Sequence, residues 1–205
     1  MRFSLRTLLL TLFALALASS HFYTSWKLNQ ARSELLALRN ELGYLTIVNP
    51  KRLNVVSIPH ADGYQWRVYV PKGASYTLHA VAARIPAKGR PPQGESSEIA
   101  MPLPEGEFTL TARAEHGKDG WKLVVHAGRY GGTLGIRDEN AGWLQGRGGG
   151  GSTPTYAGGN GVETFDPHQG FDLLRKHSWS PDSNGAFTMP GPMPSDGMLL
   201  WVEAQ

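Results

Sequence analysis

No cysteine occurs in the chain, so neither a disulfide framework nor a thiolate metal site is available. An excess of one charge is also lacking. The formal charge is +3, and with Arg2 and Arg6 of the N-terminal segment set aside, 18 basic residues face 17 acidic ones. So even a balance leaves no electrostatic footprint for nucleic acid, which is not expected as a partner. Histidines are scattered: no pair has the H-x-x-x-H spacing that puts two imidazoles on one helical face, and no metal site is expected. No G-x-S-x-G elbow for a nucleophilic serine is present. Gly146 and Gly151 have the gap of a phosphate-binding loop, but Ser152 stands where lysine must neutralise phosphate, so no nucleotide or other cofactor is expected. Nothing here assembles a catalytic constellation, and the chain reads as a non-enzyme more readily than as an enzyme.

What is present falls into three blocks: residues 1–26, 27–46 and 51–205. The first begins with Arg2 and Arg6, runs apolar over residues 8–18 and meets no further charge until Lys27. Two readings compete. A cleaved signal needs a basic start, an apolar stretch of this size and small residues at the cut, which Ala16 and Ala18 supply. A retained single-pass anchor needs about 20 residues, which residues 7–26 supply, and Phe22, Tyr23 and Trp26 would then sit at the outer interface. Ser19, Ser20 and His21 weaken the span. Both readings put the bulk of the chain outside the cytoplasm, at the membrane or secreted.

Behind it, Leu28, Ala31, Leu35, Leu38, Leu42 and Leu45 alternate spacings of three and four, the a/d seam of a coiled coil. On that register Glu34 falls at g and Arg39 at e, so Glu34 reaches Arg39 of a parallel second copy. Lys27 would meet Arg32 there, a repulsive pair. The run is short: Gly43 lowers helix propensity and Pro50 bars much continuation. A homodimer contact and an amphipathic helix lying on its own β domain are equally compatible with the pattern.

From Leu53 the period changes to two. "YQWRVYV" aligns Tyr64, Trp66, Val68 and Val70. "YTLHAVAARI" aligns Tyr76, Leu78, Ala80 and Ala82. "GEFTLTARAE" aligns Phe108, Leu110, Ala112 and Ala114, and "GWKLVVHA" aligns Trp121, Leu123, Val125 and Ala127. Asp119-Gly120 joins the last two as a hairpin. "LNVVSI" and the terminal "GMLLWVEA" complete the strong candidates, the latter apolar on both faces and so expected to be central or covered. Gly and Pro together make up about 19% of the chain. Close strands with that punctuation predict a mainly β fold, an antiparallel sandwich or barrel-like domain. Loops are expected at 86–98 and, flexible and glycine-rich, at 146–161. After the second loop, Asp166-Pro167 could open a helix; residues 171–179 read equally as a strand.

The runs "ELGYL", "WRVYVPKGASYTLH", "GEFTLTAR", "DGWKLVVHAG", "TFDP", "LLR" and "SDGMLLWVE" resemble a set of uncharacterised bacterial proteins with one N-terminal hydrophobic segment, a short helix and a compact β domain. The resemblance covers most of the chain beyond residue 40. It implies a strand at 171–176, although Gly170 and Asp172 depart from that pattern, and it implies no activity.

Of the side chains that could carry chemistry, His79 and His126 are expected on outer strand faces and could meet if their strands pair. His60 and Asp62 lie in a turn, and His168 and His177 lie far along the chain. Glu105, Glu107, Asp138 and Glu139 could pair across a cleft. Tyr64, Trp66, Tyr69, Tyr76, Trp121, Trp143, Trp179 and Trp201 could line a groove, although inward aromatics are usually core and only Tyr69 is predicted outward. The function expected is therefore a membrane-anchored cell-envelope protein with a β-rich binding or structural module. The alternative is an exported enzyme or carbohydrate-binding domain with a site built from loops.

Overall fold

The computed structural model describes residues 5–41, 44–92, 97–137, 141, 144, 151–159, 161–179 and 193–205, with backbone only at 5, 7, 8, 10, 11, 36–41, 151–154 and 179. The chain divides into two compact units, Met1–Leu42 and Gly43–Gln205.

The first unit holds one helix, α1 (Leu5–Glu41), 37 residues long. Leucine and alanine, both strong helix formers, dominate its first half, and no proline or glycine interrupts it. The apolar segment and the heptad are therefore one continuous helix. Its heptad half is shorter than expected at the C-terminal end. The helix stops at Glu41, and Leu45 lies beyond it in irregular chain, half-buried within the second unit. Among the described residues no helix is long and apolar enough to cross a membrane. The physical reason is visible in the sequence. Residues 8–18 cover about 16 Å of helix against about 30 Å of hydrocarbon, and Ser19, Ser20 and His21 follow at once.

The second unit is built from two antiparallel sheets. One carries six strands in the order β7 (Tyr130–Gly135), β6 (Gly120–Ala127), β5 (Gly106–Gly117), β2 (Tyr64–Val70), β1 (Leu53–Ile58), β9 (Glu163–Phe165). The other carries five, in the order β4 (Ile99–Pro102), β3 (Tyr76–Ile85), β11 (Ser195–Ala204), β10 (Phe171–Trp179), β8 (Gly151–Tyr156). Each sheet ends in two edge strands, so the barrel alternative is corrected to a sandwich-like pair of sheets.

The predicted inward faces are the ones that meet. Val55, Trp66, Val68, Leu110, Ala112, Leu123 and Val125 of the six-stranded sheet share one core with Leu78, Ala80, Leu174, Leu200 and Val202 of the five-stranded sheet. The expected hairpin is present: Gly117 pairs Gly120, and Gly120 adopts φ 101°, which suits glycine. At one flank the edges come close. A Cβ on Gly132 of β7 would lie 2.8 Å from the Ile99 side chain of β4, which would have to shift to admit one. At the other flank the chain crosses between sheets after β8. There Ala157 accepts from the Trp66 indole at 3.2 Å and Gly158 accepts from Ser57 N at 3.0 Å.

One expectation changes here and one open choice is decided. The stretch 146–161 is not all loop: residues 151–156 form the edge strand β8, paired with β10 through Pro154 opposite Lys176. Proline removes one ladder donor and is tolerated at an edge, and Thr153, Thr155 and Tyr156 favour extended chain. Residues 171–179 form a strand, β10, in line with the resemblance, while Asp166-Pro167 opens a turn in which Gln169 N donates to Asp166 O at 3.1 Å.

Candidate functional site

The most densely organised polar cluster lies on the outer face of the five-stranded sheet, and strand register builds it. His79 pairs with Trp201 across β3 and β11, and Trp201 pairs with Asp172 across β11 and β10. Residues that pair point to the same face, so these three side chains form one transverse row. The next row is Val81, Leu199 and Arg175. In a regular strand Asp172 and Arg175, three apart, would point to opposite faces. A register shift between Asp172 and Leu174 adds one residue, so Leu173 and Leu174 are both buried while Asp172 and Arg175 share the outer face.

Against these rows lie the described residues of the loop 86–98, residues 86–92 and 97–98, which act as a strap. Arg175 donates to the carbonyls of Pro86 at 2.6 Å and Gly89 at 2.7 Å, and its Nε donates to Asp172 at 2.7 Å. Arg90 reaches back to the other Asp172 oxygen, with its guanidinium 5.1 Å from the centre of the Trp201 ring. The His79 imidazole stacks on the same indole at 4.9 Å and 11°. His79 is paired in turn with Glu98 at the far end of the strap, and its Nε2 lies 3.6 Å from Glu203. Glu203 also accepts from the Trp201 indole at 2.8 Å. On the same face Val81, Ile85, Leu199 and Trp201 form a second, small apolar cluster, with Trp201 only 5% exposed. The Arg175 side chain is 11% exposed, and its charge is met by Asp172 and two carbonyls, as burial of a cation requires.

Two neighbouring groups on β10 have displaced protonation equilibria. Burial first, and the Arg175 charge second, push the His177 pKa below the usual imidazole value; its Nδ1 lies 2.7 Å from Ser195 Oγ. Burial also lowers the pKa of Lys176, whose amine lies 5.9 Å from the centre of the Tyr64 ring. Tyr64 is raised, by burial and then by Tyr156. The strap cluster has the groups with which a planar cation can be held. It has an indole face, a carboxylate beside it and neighbours that hold both in place.

The residues expected to matter from sequence are distributed otherwise. Leu28, Ala31 and Leu35 lie on α1 and are exposed, Leu28 at 51% and Leu35 at 49%. Glu34 is exposed and accepts from Gln30 at 3.0 Å within the helix. Leu38 and Arg39 belong to α1, but their side chains lie outside the described residues, as does Leu42 altogether. His79 and His126 cannot meet through pairing of their strands, because β3 and β6 belong to different sheets. His126, His60, Asp62 and His168 are exposed. Glu105 accepts from Gly73 N at 2.8 Å and Glu107 pairs with Arg67 at 3.1 Å; both border an open groove of about 480 Å³ with Phe108 and Arg129. Asp138, Glu139 and Trp143 lie outside the described residues. Trp66 and Tyr76 are core, and Tyr69 faces outward, its hydroxyl 3.4 Å from Pro50 O. Among the described residues no three His, Asp or Glu side chains are arranged to hold a metal ion.

Sequence reasoning missed Arg90, Glu98, Asp172, Arg175 and Glu203 as a group. One signal pointed to them: "GMLLWVEA" is apolar on both faces, so its outer face needs a cover, and the polar loop 86–98 follows directly on the strand that pairs with it. Comparison with protein-family models, curated proteins and solved structures found no match to this chain.

Proposed function

We propose that this chain is a cell-envelope protein whose β-sandwich lies outside the cytoplasm, tethered to the membrane by α1, and acts as a binding or structural module. The observation that carries the tether is the apolar half of α1. Leu9, Leu12, Phe13, Leu15 and Leu17 are all exposed, Phe13 at 64%, and they point in several directions round the helix. A helix apolar on many sides needs a non-aqueous cover. Phe22, Tyr23 and Trp26 follow, also exposed, with Lys27 Nζ 5.8 Å from the Tyr23 ring centre, a composition suited to a lipid–water interface. The Thr24 hydroxyl donates to Ser20 O at 2.8 Å, so it enters a low-dielectric region already satisfied.

A second reading, a secreted protein cleaved behind Ala18, is favoured by the length of the apolar run, which matches a signal better than a full span. Membrane fractionation with N-terminal sequencing of the mature protein separates the two. An intact N-terminus in carbonate-washed membranes supports the tether, a start near Ser19 supports secretion, and an intact chain in the cytosolic supernatant sinks both.

The heptad half of α1 is proposed to pair in parallel with a second copy through Leu28, Ala31, Leu35 and Leu38, with Glu34 facing Arg39 of that copy. Detergent-solubilised full-length protein is then expected to sediment as a dimer, and Leu35→Asp to reduce its mass to that of the monomer. Equal masses for the two would dispose of the pairing.

A further inference from the structure

The strap carries one side chain, Arg90, that does more than border an apolar patch. Arg90 occupies the outer face of the five-stranded sheet as a ligand occupies a site. Its guanidinium lies against an indole held by His79 and by a hydrogen bond to Glu203, and it pairs with one oxygen of a carboxylate whose other oxygen is held by Arg175. The receptor groups, Trp201 and Asp172, sit on adjacent strands in register, so their places on the sheet are set by strand pairing and not by Arg90. The strap is fixed just upstream, by the bonds from Arg175 to the carbonyls of Pro86 and Gly89. Gly89 has φ 78°, and a Cβ there would meet nothing within 4 Å, so the backbone joint next to Arg90 is unobstructed.

From this we infer that Trp201 and Asp172 form an arginine-reading site that Arg90 fills in cis, and that an arginine side chain presented by an extended segment of a partner protein takes it when Arg90 swings out. The ligand class is read from the present occupant. A planar guanidinium both lies on an indole and aligns donors with a carboxylate, whereas an ammonium has no flat face to lay on the ring. The tethered Arg90 competes at high effective concentration, so the resting site is closed to weak ligands. The inference deepens the binding-module half of the function proposed above. It is independent of the membrane tether, because its test reads the site directly.

The probe is N-acetyl-arginine amide, titrated into full-length protein and followed by the indole N–H resonance of Trp201, assigned with Trp201→Phe. Arg90→Ala is expected to bind the probe saturably, at one site per chain and at least tenfold more tightly than the unaltered protein. The Arg90→Ala, Asp172→Asn double variant is expected to lose that binding, and N-acetyl-lysine amide to bind Arg90→Ala at least tenfold more weakly than the arginine probe. A peptide with arginine between extended flanks should bind more tightly than the amide; equal binding would mean that the site reads the free side chain, against the inference as stated. A folded Arg90→Ala that binds the arginine probe no better than the unaltered protein would overturn the inference, as would equal binding of the lysine probe. If Arg90→Ala does not fold, Arg90→Lys takes its place. It is expected to bind the arginine probe at least threefold more tightly than the unaltered protein, and no gain would overturn the inference.

Discussion

The two outer faces of the sandwich have the same strand geometry and differ in how much apolar surface they carry and bury. On the six-stranded sheet the outer face carries Gln65, Arg67, Thr109, Thr111, Arg113, Glu115 and Lys122, all at least partly open to water, with the buried Val56 and Val124 set among them. Its ion pairs, Arg67 with Glu107, Arg113 with Glu115 and Lys122 with Asp119, are solvated. On the five-stranded sheet the outer face carries the buried cluster Val81, Ile85, Leu199 and Trp201, and Arg90 of the strap lies over Trp201. The difference shows that a sheet face is not polar or apolar by default. It takes the chemistry of what covers it, and the same arginine–carboxylate pairing is decoration on one face and part of the structure on the other.

Substitutions along the two faces can break that contrast, and the largest effect is expected at Leu199. Leu199→Ala empties a fully buried site on this face and should cost about 2–5 kcal/mol in denaturant unfolding. If the loss is under about 0.5 kcal/mol, as at an open surface position, the strap does not bury this face. Arg175→Ala comes next. It leaves Asp172 one partner short and removes the donors to Pro86 O and Gly89 O, and is expected to cost about 1–3 kcal/mol. Hydrogen exchange should speed up in residues 86–90 before it does in the strands.

A pH titration sharpens the comparison further. Burial lowers the His177 pKa in the folded chain, so the unfolded chain takes the proton more readily. The contribution of His177 is complete above the ordinary imidazole value of 6.5 and is lost as the pH falls through the lower, folded value. The melting temperature should therefore fall on acidification, and His177→Gln should flatten that slope. An unchanged slope in the variant would assign the acid sensitivity elsewhere. The smallest effect is expected on the open face: Arg113→Ala removes a solvated pair with Glu115 and should change stability by less than about 1 kcal/mol. A larger loss there would erase the distinction between the faces.

The inner faces were legible because a strand buried on one side must alternate. Trp66 and Val68, Leu78 and Ala80, Leu110 and Ala112, and Leu123 and Val125 all pack where period two puts them. Strand β8 was hidden because glycine on either side of residues 151–156 makes the stretch read as a linker, while its pairing with β10 depends on residues about 20 positions away. Strands β4, β7 and β9 are short or glycine-rich and have too little pattern to read. The strap cluster was legible only as a need. "GMLLWVEA" asked for a cover, but an outward Asp172 beside an outward Arg175 depends on a bulge, and no periodicity announces one extra residue.

What the sequence determined alone is whatever depends on near neighbours. The uninterrupted α1 follows from propensity, the alternating strands from period two, the tight turn at Asp119-Gly120 from glycine, and the lack of thiol chemistry from composition. Tertiary structure alone decided strand order, the crossing of the chain between sheets after β8, and the meeting of Arg90 with Trp201 and Asp172. Those contacts join residues some 80 to 110 positions apart, and they exist only because antiparallel pairing sets β3, β11 and β10 side by side in one register. Side-chain periodicity tells a residue which way to face, and only the folded sheet tells it whom it meets.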